Sequence, residues 1–433
     1  MLLDKIREIP NRSLAEIVSQ STDLWDQSPQ SFGDEFPYIE ISAVRLGVDE
    51  YDIRMLATRH APSRARMIVK ANDIIISTTR PHRGAVAMIK QEDDGCIAST
   101  GFAVLRIRRD VRDVLREYLL NIIASPMILQ QFLQRSSGGN YPAITSDEIG
   151  KVLVPIPSIE LQQKLVEKMQ VAQESRKKKL AQADELLAGI DKFLLKEVGV
   201  DQVSHSRRRC FGIRLRQVEG PINPDRYSAL GMERNVEGAT IGRVGDILED
   251  KTSPSRVDGN GEWDWIRIDD LPNEPLGIDK IRTEYGKNMQ GTFFTVEKDD
   301  ILIARLGPTI LNRKFVLCPE TKRRTIASPE FLVLRCYKGW NPMLVLWILK
   351  TTFYRNLIYS KCRGGTPSRY RIIGVDLGAL PFPSIDKKKQ DELVNVIKGK
   401  LEDIRDLREE AERDWRTAKA DFEAQILVKG AAS

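Results

Sequence analysis

Few residues of the chain are spaced as a catalytic site requires. Asp225 precedes Glu249 and Lys251 by a gap at which two carboxylates could hold magnesium beside a lysine. The corresponding earlier segment, residues 14–18, contains no lysine. A magnesium-dependent nuclease that uses these three residues is therefore kept only as an alternative hypothesis.

Other catalytic constellations are missing from the sequence. The three histidines, His60, His82 and His205, do not stand at metal-ligand spacing from one another or from a cysteine. The sequence has neither a Gly-x-x-x-x-Gly-Lys phosphate loop nor the Asn/Asp-Pro-Pro-aromatic loop of an amino-methyltransferase. We therefore expect no catalysis, no metal site and no cofactor bound by this chain.

Basic and polar side chains instead gather in loops. Residues 78–84 follow a buried-looking strand, and residues 305–314 follow a similar one. A Gly-Gly loop comes later in each half, at Gly138 and Gly364. Arginine and amide side chains read base edges, and basic residues bind phosphates. Each arginine alone could equally be a surface charge, but their clustering in equivalent loops predicts a DNA interface.

The predicted DNA-binding residues of the first half are Arg45, Arg64, Arg66, Thr79, Arg80, His82, Arg83, Asn140 and Tyr141. Those of the second half are Arg267, Arg305, Asn312, Arg313, Lys314, Ser368, Arg369, Tyr370 and Arg371. Because phosphate contacts release counterions, binding through these residues should depend strongly on salt.

The two halves are copies of one unit. Six matched pairs stand 226 to 229 positions apart, and chance similarity would not hold one offset over more than a hundred residues. The pairs are Tyr38 with Trp265, Asp73 with Asp300, Ile97 with Ile326, Gly138 with Gly364, Pro155 with Pro381 and Gln163 with Gln390.

Each copy has the same order of predicted elements. Short β-branched runs predict strands at residues 73–77, 84–89 and 102–107, and at 301–304, 314–318 and 331–336. A pair of helices follows, at residues 114–124 and 126–134 and at 342–350 and 352–360. A Gly-Gly loop, a Pro-x-Pro segment and a long helix complete the copy. The fold class is therefore α+β.

The long helices are predicted at residues 159–198 and 387–427. Leu180, Ala183, Leu187, Ile190 and Leu194 follow a heptad pattern, and the second helix repeats it from Ile397 to Gln425 with Arg408 as a break. Such apolar stripes need a partner, and the two helices are of similar length, so we expect them to pack on each other. The alternative is that each helix folds onto its own domain. The basic run at residues 176–179, at a break in the first heptad pattern, is interpreted as a solvated face rather than a phosphate contact.

The overall composition is ordinary for a globular protein, and its charge is mildly basic. The 433 residues carry 67 basic and 61 acidic side chains, a net charge of +6 that permits nucleic-acid binding without requiring it. The five scattered cysteines favour a reducing cytosol over a disulfide framework. Neither a signal peptide nor an apolar run of membrane-spanning length is evident, so a cytoplasmic location is expected.

This doubled order of parts resembles the specificity subunits of type I restriction–modification enzymes. The resemblance covers essentially the whole chain and rests on the Gly-Gly loops, the turns at residues 152–157 and 377–383, and the helix starts Glu160-Leu161-Gln162-Gln163 and Lys388-Lys389-Gln390. The second helix begins with Asp386-Lys387, whereas a proline followed by an acidic residue is the more usual start in these subunits.

The resemblance implies two target-recognition domains, at residues 1–157 and 201–383, and two spacer helices, at 158–200 and 384–433. Each domain would read one half of a split double-stranded DNA site, which would be asymmetric because the loops differ. The two helices would form an antiparallel coiled coil with pseudo-twofold symmetry, and its length would set the gap between the half-sites. Two adenine methyltransferase subunits would bind S-adenosylmethionine, and a restriction subunit, where present, would use ATP and magnesium. The chain itself would be non-catalytic. A stand-alone two-domain DNA-binding regulator remains an alternative.

Overall fold

The computed structural model describes residues 6–28, 31–200, 241–364, 366 and 369–429. These residues form two compact units. Unit 1 comprises the described residues of Met1–Leu180 and Glu409–Ser433, and unit 2 comprises those of Ala181–Arg408. Among the described residues, no helix is long and apolar enough to cross a membrane.

The elements up to the first long helix are given in chain order. They are β1 (Asn11–Ser13), α1 (Leu14–Ile17), β2 (Val18–Gln20), β3 (Glu35–Ile39), β4 (Arg54–Ala57), β5 (Ala65–Ile68), β6 (Ile74–Ser77), β7 (Val86–Met88), β8 (Ile97–Ser99), β9 (Phe102–Ile107), α2 (Arg116–Ile123), α3 (Pro126–Arg135), α4 (Ser146–Gly150), β10 (Leu153–Pro155) and α5 (Ile159–Glu197). Single 3-10 turns lie at Ile41–Ala43, Thr58–His60, Pro81–Arg83 and Gln91–Asp93.

The second copy repeats this order. Its elements are β11 (Ile241–Arg243), α6 (Val244–Ile247), β12 (Leu248–Asp250), β13 (Pro254–Ser255), β14 (Glu262–Ile266), β15 (Arg282–Tyr285), β16 (Phe293–Val296), β17 (Ile301–Ala304), α7 (Gly307–Leu311), β18 (Phe315–Leu317), β19 (Thr325–Ala327), β20 (Phe331–Cys336), α8 (Pro342–Lys350), α9 (Thr352–Ser360), α10 (Gly374–Gly378), β21 (Pro381–Pro383) and α11 (Lys387–Lys429). Its 3-10 turns lie at Ile268–Asp270 and Gly286–Asn288.

The strands β6 and β17 are buried on both faces, which explains their uninterrupted apolar sequences. Ile74 and Ile76 of β6 pack against the helical layer, whereas Ile75 packs against the second sheet of unit 1. In unit 2, Ile301 and Leu302 of β17 divide in the same way between the two sides. The predicted strands and helix pairs are confirmed, with small shifts at their ends.

The sheets confirm the internal repeat. One sheet has the strand order β2-β9-β6-β7 in unit 1 and β12-β20-β17-β18 in unit 2. The other has the order β4-β3-β8-β5 in unit 1, and unit 2 has β13-β16-β19-β14-β15. The residues matched from the sequence occupy equivalent parallel registers, Tyr38 opposite Ile97 and Trp265 opposite Ile326.

A buried aspartate holds the central hairpin of each unit. Asp73 accepts two hydrogen bonds from Arg106, both of 2.8 Å, and Asp300 accepts two from Arg335, of 2.7 and 2.9 Å. Two parallel bonds between a guanidinium and a carboxylate are the geometry that compensates best for burying a charge. Asp300 accordingly raises the pKa of the Arg335 guanidinium.

The two long helices run antiparallel within each unit, as predicted. In unit 1, Lys168 of α5 donates to Gln425 of α11 at 3.3 Å. In unit 2, Arg408 donates to Asp184 at 3.1 Å, and Glu197 accepts a bond from Lys389. Residue numbers therefore rise along one helix as they fall along the other.

The heptad residues form the apolar contact between the helices. Leu187, Ile190 and Leu194 are buried in unit 2 with Ile397 and Leu401. In unit 1, Leu165 and Met169 are buried with Trp415 and Phe422. The alternative in which each helix folds onto its own domain is wrong, because the second half of α11 belongs to unit 1.

The basic run at residues 176–179 requires a correction. Three of its four side chains are ion-paired rather than simply solvated. Lys177 lies 3.8 Å from Glu50, and the other two meet carboxylates of α11 at the point where the heptad pattern breaks. Arg176 donates to Glu412 at 3.0 and 2.7 Å, and Lys179 donates to Glu410 at 2.9 Å and Asp414 at 2.7 Å. These pairs align the helices where apolar residues are missing.

The predicted equivalence of Gln163 and Gln390 is also wrong. Gln163 is exposed, whereas Gln162 is fully buried. The Gln162 amide accepts from Leu115 N at 2.9 Å and donates to main-chain oxygens at residues 113 and 157. Gln390 makes the same set of bonds, accepting from Asn341 N at 2.9 Å. Adjacent helix positions point about 100° apart, so only one of the two glutamines can face the domain.

Candidate nucleic-acid interface

In unit 1, the loop after β6 lies directly against the Gly-Gly loop. Ile144 N donates to Thr78 O at 2.9 Å, and Arg80 N donates to Pro142 O at 2.7 Å. We call residues 78–84 and 136–145 together loop pair 1. Their main-chain bonds bring together Thr79, Arg80, His82, Arg83, Asn140 and Tyr141, which the sequence predicted as DNA contacts.

Unit 2 builds the same junction. Gly307 N donates to Tyr370 O at 2.8 Å, and Ile372 N donates to Arg305 O at 3.0 Å. We call residues 305–314 and the described residues of 363–373 loop pair 2. Loop pair 2 contains Arg305, Asn312, Arg313, Lys314, Arg369, Tyr370 and Arg371, whereas Ser368 lies outside the described residues.

The Gly-Gly loops need glycine for steric reasons. Gly138 has a φ of +95°, which residues with side chains rarely adopt. At Gly364, a Cβ atom would stand 2.6 Å from the carbonyl oxygen of Arg369, closer than any real contact. Both glycines allow the loop to turn back on itself and face the loop after the strand.

Loop pair 1 presents an exposed aromatic ring next to a cation. The Tyr141 side chain is 71% exposed, and the Arg80 guanidinium lies 4.2 Å from the centre of its ring. Arg80 has a φ of +50° and donates to Asn140 O at 2.9 Å. Tyr141 offers a flat surface on which a base or sugar can stack, with a positive charge beside it.

The other side chains of loop pair 1 are mostly open to solvent. Thr79, Arg83 and Asn140 are exposed. His82 is half-buried, and its Nδ1 atom has no hydrogen-bond partner among the described residues. A buried nitrogen of this kind usually acquires a partner, which water or a bound nucleic acid could supply.

Loop pair 2 differs because several of its predicted contact residues have partners within the unit. Tyr370 is buried and packs against Tyr359 with ring centres 6.2 Å apart. Arg371 donates to both carboxylate oxygens of Glu330, at 3.2 and 3.0 Å, which raises the pKa of its guanidinium. Lys314 donates to Ile268 O at 3.2 Å.

Besides Arg313, which is largely buried and pairs with Asp191 and Glu274, loop pair 2 contains three further predicted side chains. Arg369 and Asn312 are exposed. The Arg305 guanidinium lies 3.5 Å from Ile372 O, so it also faces the Gly-Gly loop. Loop pair 2 therefore exposes fewer free polar groups than loop pair 1.

The remaining predicted contacts lie on other elements. Arg45 pairs with Glu50, whose carboxylate raises the pKa of the Arg45 guanidinium. Arg64 and Arg66 are exposed, one just before β5 and one within it. Arg267 lies over the Trp265 ring at 4.9 Å. The loop junctions do not bring these four arginines together.

The residues of the nuclease hypothesis do not assemble in the described part of the chain. Asp225 lies outside the described residues. Lys251 donates to Glu249 at 2.7 Å, so these two side chains pair with each other. The described residues contain no group of three or more side chains that could hold a metal ion.

Sequence reasoning missed the residues that support the loops. Tyr118 donates to Pro155 O at 2.8 Å, and Tyr354 donates to Pro381 O at 3.1 Å, so each short helix pair is tied to a Pro-x-Pro strand. Glu330, the partner of Arg371, was also missed. Tyr118 lies in the first helix of its pair and Tyr354 in the second, so the repeat offset does not match the two tyrosines, and nothing in the sequence marks Glu330.

The first part of the chain is similar to a known protein family. Residues 8–183 match the family model of the type I restriction modification DNA specificity domain. This match covers the first strand-rich domain and the first part of α5, which is less than half of the chain. Specificity subunits of the family are non-catalytic.

One curated relative of the specificity-subunit family is the specificity subunit of the type I restriction enzyme HindI of Haemophilus influenzae. The chain is 30% identical to it over 108 residues, which cover 24% of this chain and 23% of the relative. The match therefore spans about a quarter of that protein's length.

A solved structure extends the likeness of fold to nearly the whole chain. It comes from work on complex assembly and conformational transition of the type I R-M system, and the match covers 98% of each chain. The TM-score is 0.52 at 20% sequence identity, which shows a shared fold. The α+β fold, with two strand-rich domains each followed by a long helix, agrees with this structure.

Proposed function

We propose that the chain is a non-catalytic subunit that reads a split, asymmetric site in double-stranded DNA. Each unit reads one half of the site through its loop pair. The observation that carries the proposal is that two equivalent loops meet in each unit, at the end of an equivalent buried strand, β6 or β17. Two copies of one frame with different side chains would recognise two different half-sites.

Residues 1–157 and 201–383 are assigned as the target-recognition domains, and residues 158–200 and 384–433 as the helical segments between and after them. The match of residues 8–183 to the model of the DNA specificity domain supports this assignment for the first domain. The equivalent sheets of unit 2 support it for the second domain.

The chain would direct partner subunits to the DNA. Two adenine methyltransferase subunits would carry S-adenosylmethionine, and restriction subunits, where present, would use ATP and magnesium. This chain would bind no cofactor and would act in the cytoplasm, where the DNA is. The family-model match of residues 8–183 and the fold shared with a protein of the type I R-M system support these partners.

The test is a genome-wide map of methylated adenines, made by long-read sequencing of the source strain with and without the gene. The expected result is loss of methylation at one split, asymmetric motif when the gene is deleted. An unchanged map from a strain that expresses the methyltransferase subunits would contradict the proposal. Restoration of the motif by the intact gene on a plasmid is the control.

A further inference from the structure

A carboxylate of each long helix caps a short helix that packs against a loop pair. In unit 2, Asp191 of α5 accepts from Thr352 N at 3.0 and 3.1 Å and from Thr352 Oγ1 at 2.5 Å, at the start of α9. In unit 1, Glu423 of α11 accepts from Met127 N at 2.6 Å, in the first turn of α3. The free N–H groups at a helix start are satisfied by such carboxylates.

In unit 2, Asp191 also reaches the loop itself. The Arg313 guanidinium lies 3.6 Å from Asp191 and 3.2 Å from Glu274, and it donates to Thr352 Oγ1 at 3.3 Å. Only 15% of the Arg313 side chain is exposed, and its φ is +53°. Arg313 therefore connects loop pair 2 to the long helix instead of pointing into solvent.

Further cations crowd this connection. Arg355 donates to Leu311 O at 2.5 Å, and the fully buried Lys350 donates to Pro275 O. Burial, followed by the nearby charge of Arg313, lowers the pKa of Lys350 to about 7 and that of Arg355 to about 10. Removing a negative charge would leave like charges together in a buried place, so the loop would shift.

In unit 1, α11 is connected to loop pair 1 through main-chain hydrogen bonds and apolar contacts. Trp415 Nε1 and Lys419 Nζ of α11 both donate to Gly47 O at 3.2 Å, and Gly47 N donates to Gly84 O at 2.9 Å. A Cβ at Gly84 would stand 3.1 Å from Leu129 of α3, so the capped helix is in close contact with the loop.

We propose that Asp191 and Glu423 are positioning residues, each of which holds the loop pair of its own unit in the geometry that reads DNA. Neither residue touches DNA in this proposal. Each acts through a short helix, and Asp191 acts in addition through Arg313. The inference rests on the proposed function, because it assigns the residues that set the shape of the same reading loops.

The experiment compares Asp191→Asn with Glu423→Gln, each introduced into the chromosomal gene so that the protein is tested with its natural partners. Both variants keep an oxygen that can accept the helix N–H bond, so the fold is retained while the charge is lost. The readout is the methylated fraction at cognate sites and at sites with one mismatched base. Asp406→Asn, at an exposed position of α11, is the matched control.

The expected result is reciprocal. Asp191→Asn should raise methylation at sites mismatched in one half by about tenfold relative to cognate sites, and Glu423→Gln should do so for the other half. Asp406→Asn should leave both halves unchanged. Arg313→Gln combined with Asp191→Asn should be no more relaxed than Arg313→Gln alone, because both substitutions remove the same contact.

Two outcomes would overturn the inference. One is that base preference in both halves is unchanged by either charge-removing variant. The other is that each variant weakens both halves equally, which a merely structural role would produce. A wild-type map that shows no split motif would count against the proposed function itself, so the two failures are distinguishable.

Discussion

The two loop pairs share a main-chain frame but differ in what they expose. Loop pair 1 presents Tyr141 with 71% of its side chain exposed and Arg80 lying over the ring. Loop pair 2 buries Tyr370 and ties Arg371 to Glu330. The difference teaches that the strand-and-loop frame is inherited by both copies, whereas the chemistry of each surface is set by partners outside the repeat pattern.

The largest expected effect comes from removing, in one unit only, the buried aspartate that holds the central hairpin. Asp300→Ala leaves Arg335 without its buried partner and should cost about 3–5 kcal/mol of unfolding free energy. Hydrogen exchange measured by mass spectrometry should show loss of protection in β17 and β20 while β6 and β9 stay protected. The matched control, Asp73→Ala, should give the reverse pattern. Equal loss in both units would argue against two separately built frames.

The next effect separates the two tyrosines. Tyr370→Ala removes a buried ring and should lower the unfolding free energy by about 3 kcal/mol. Tyr141→Ala, on an exposed side chain, should change it by less than about 0.5 kcal/mol but weaken DNA binding by about 1–3 kcal/mol through lost stacking. Denaturant unfolding and fluorescence anisotropy with a cognate duplex measure the two quantities. Equal stability losses would contradict the difference in burial.

A smaller effect is expected from the arginines. Arg80→Ala should weaken binding to the cognate duplex about tenfold, because Arg80 both carries charge and supports Tyr141. Arg371→Ala should weaken it less, because Glu330 already neutralises that guanidinium. Anisotropy titrations at one fixed salt concentration compare the two variants. A larger loss for Arg371→Ala would reverse the comparison of the loop pairs.

The smallest effect concerns phosphate contact. Replacing the exposed Arg83 by glutamine should reduce the slope of log affinity against log salt by about 0.9 if its charge neutralises one phosphate. The same substitution at Arg371 should change the slope by much less. An unchanged slope for Arg83→Gln would remove this residue from the predicted interface.

The internal repeat made much of the frame predictable. The fixed offset identified β17 as the equivalent of β6 and β20 as the equivalent of β9. Uninterrupted apolar runs identified the strands that are buried on both faces. The heptad patterns gave both long helices and their pairing. These features follow from local periodicity, which a single sequence records directly.

What remained unpredictable depends on partners that are distant in sequence. Periodicity does not distinguish Gln162 from Gln163, because only packing decides which of two adjacent side chains faces the domain. The heptads also do not say that the second half of α11 belongs to unit 1. For the same reason, Arg313 reads as a free loop cation in the sequence and is a paired side chain in the fold.

The central claim is that each unit reads its own half of one DNA site, and one measurement tests it most directly. Asn140 and Tyr141 would be replaced together by alanine in the chromosomal gene, and methylated adenines would be mapped by long-read sequencing. The account predicts that specified bases are lost from one half of the motif while the other half is kept. An intact motif, or loss of base preference in both halves at once, would contradict it.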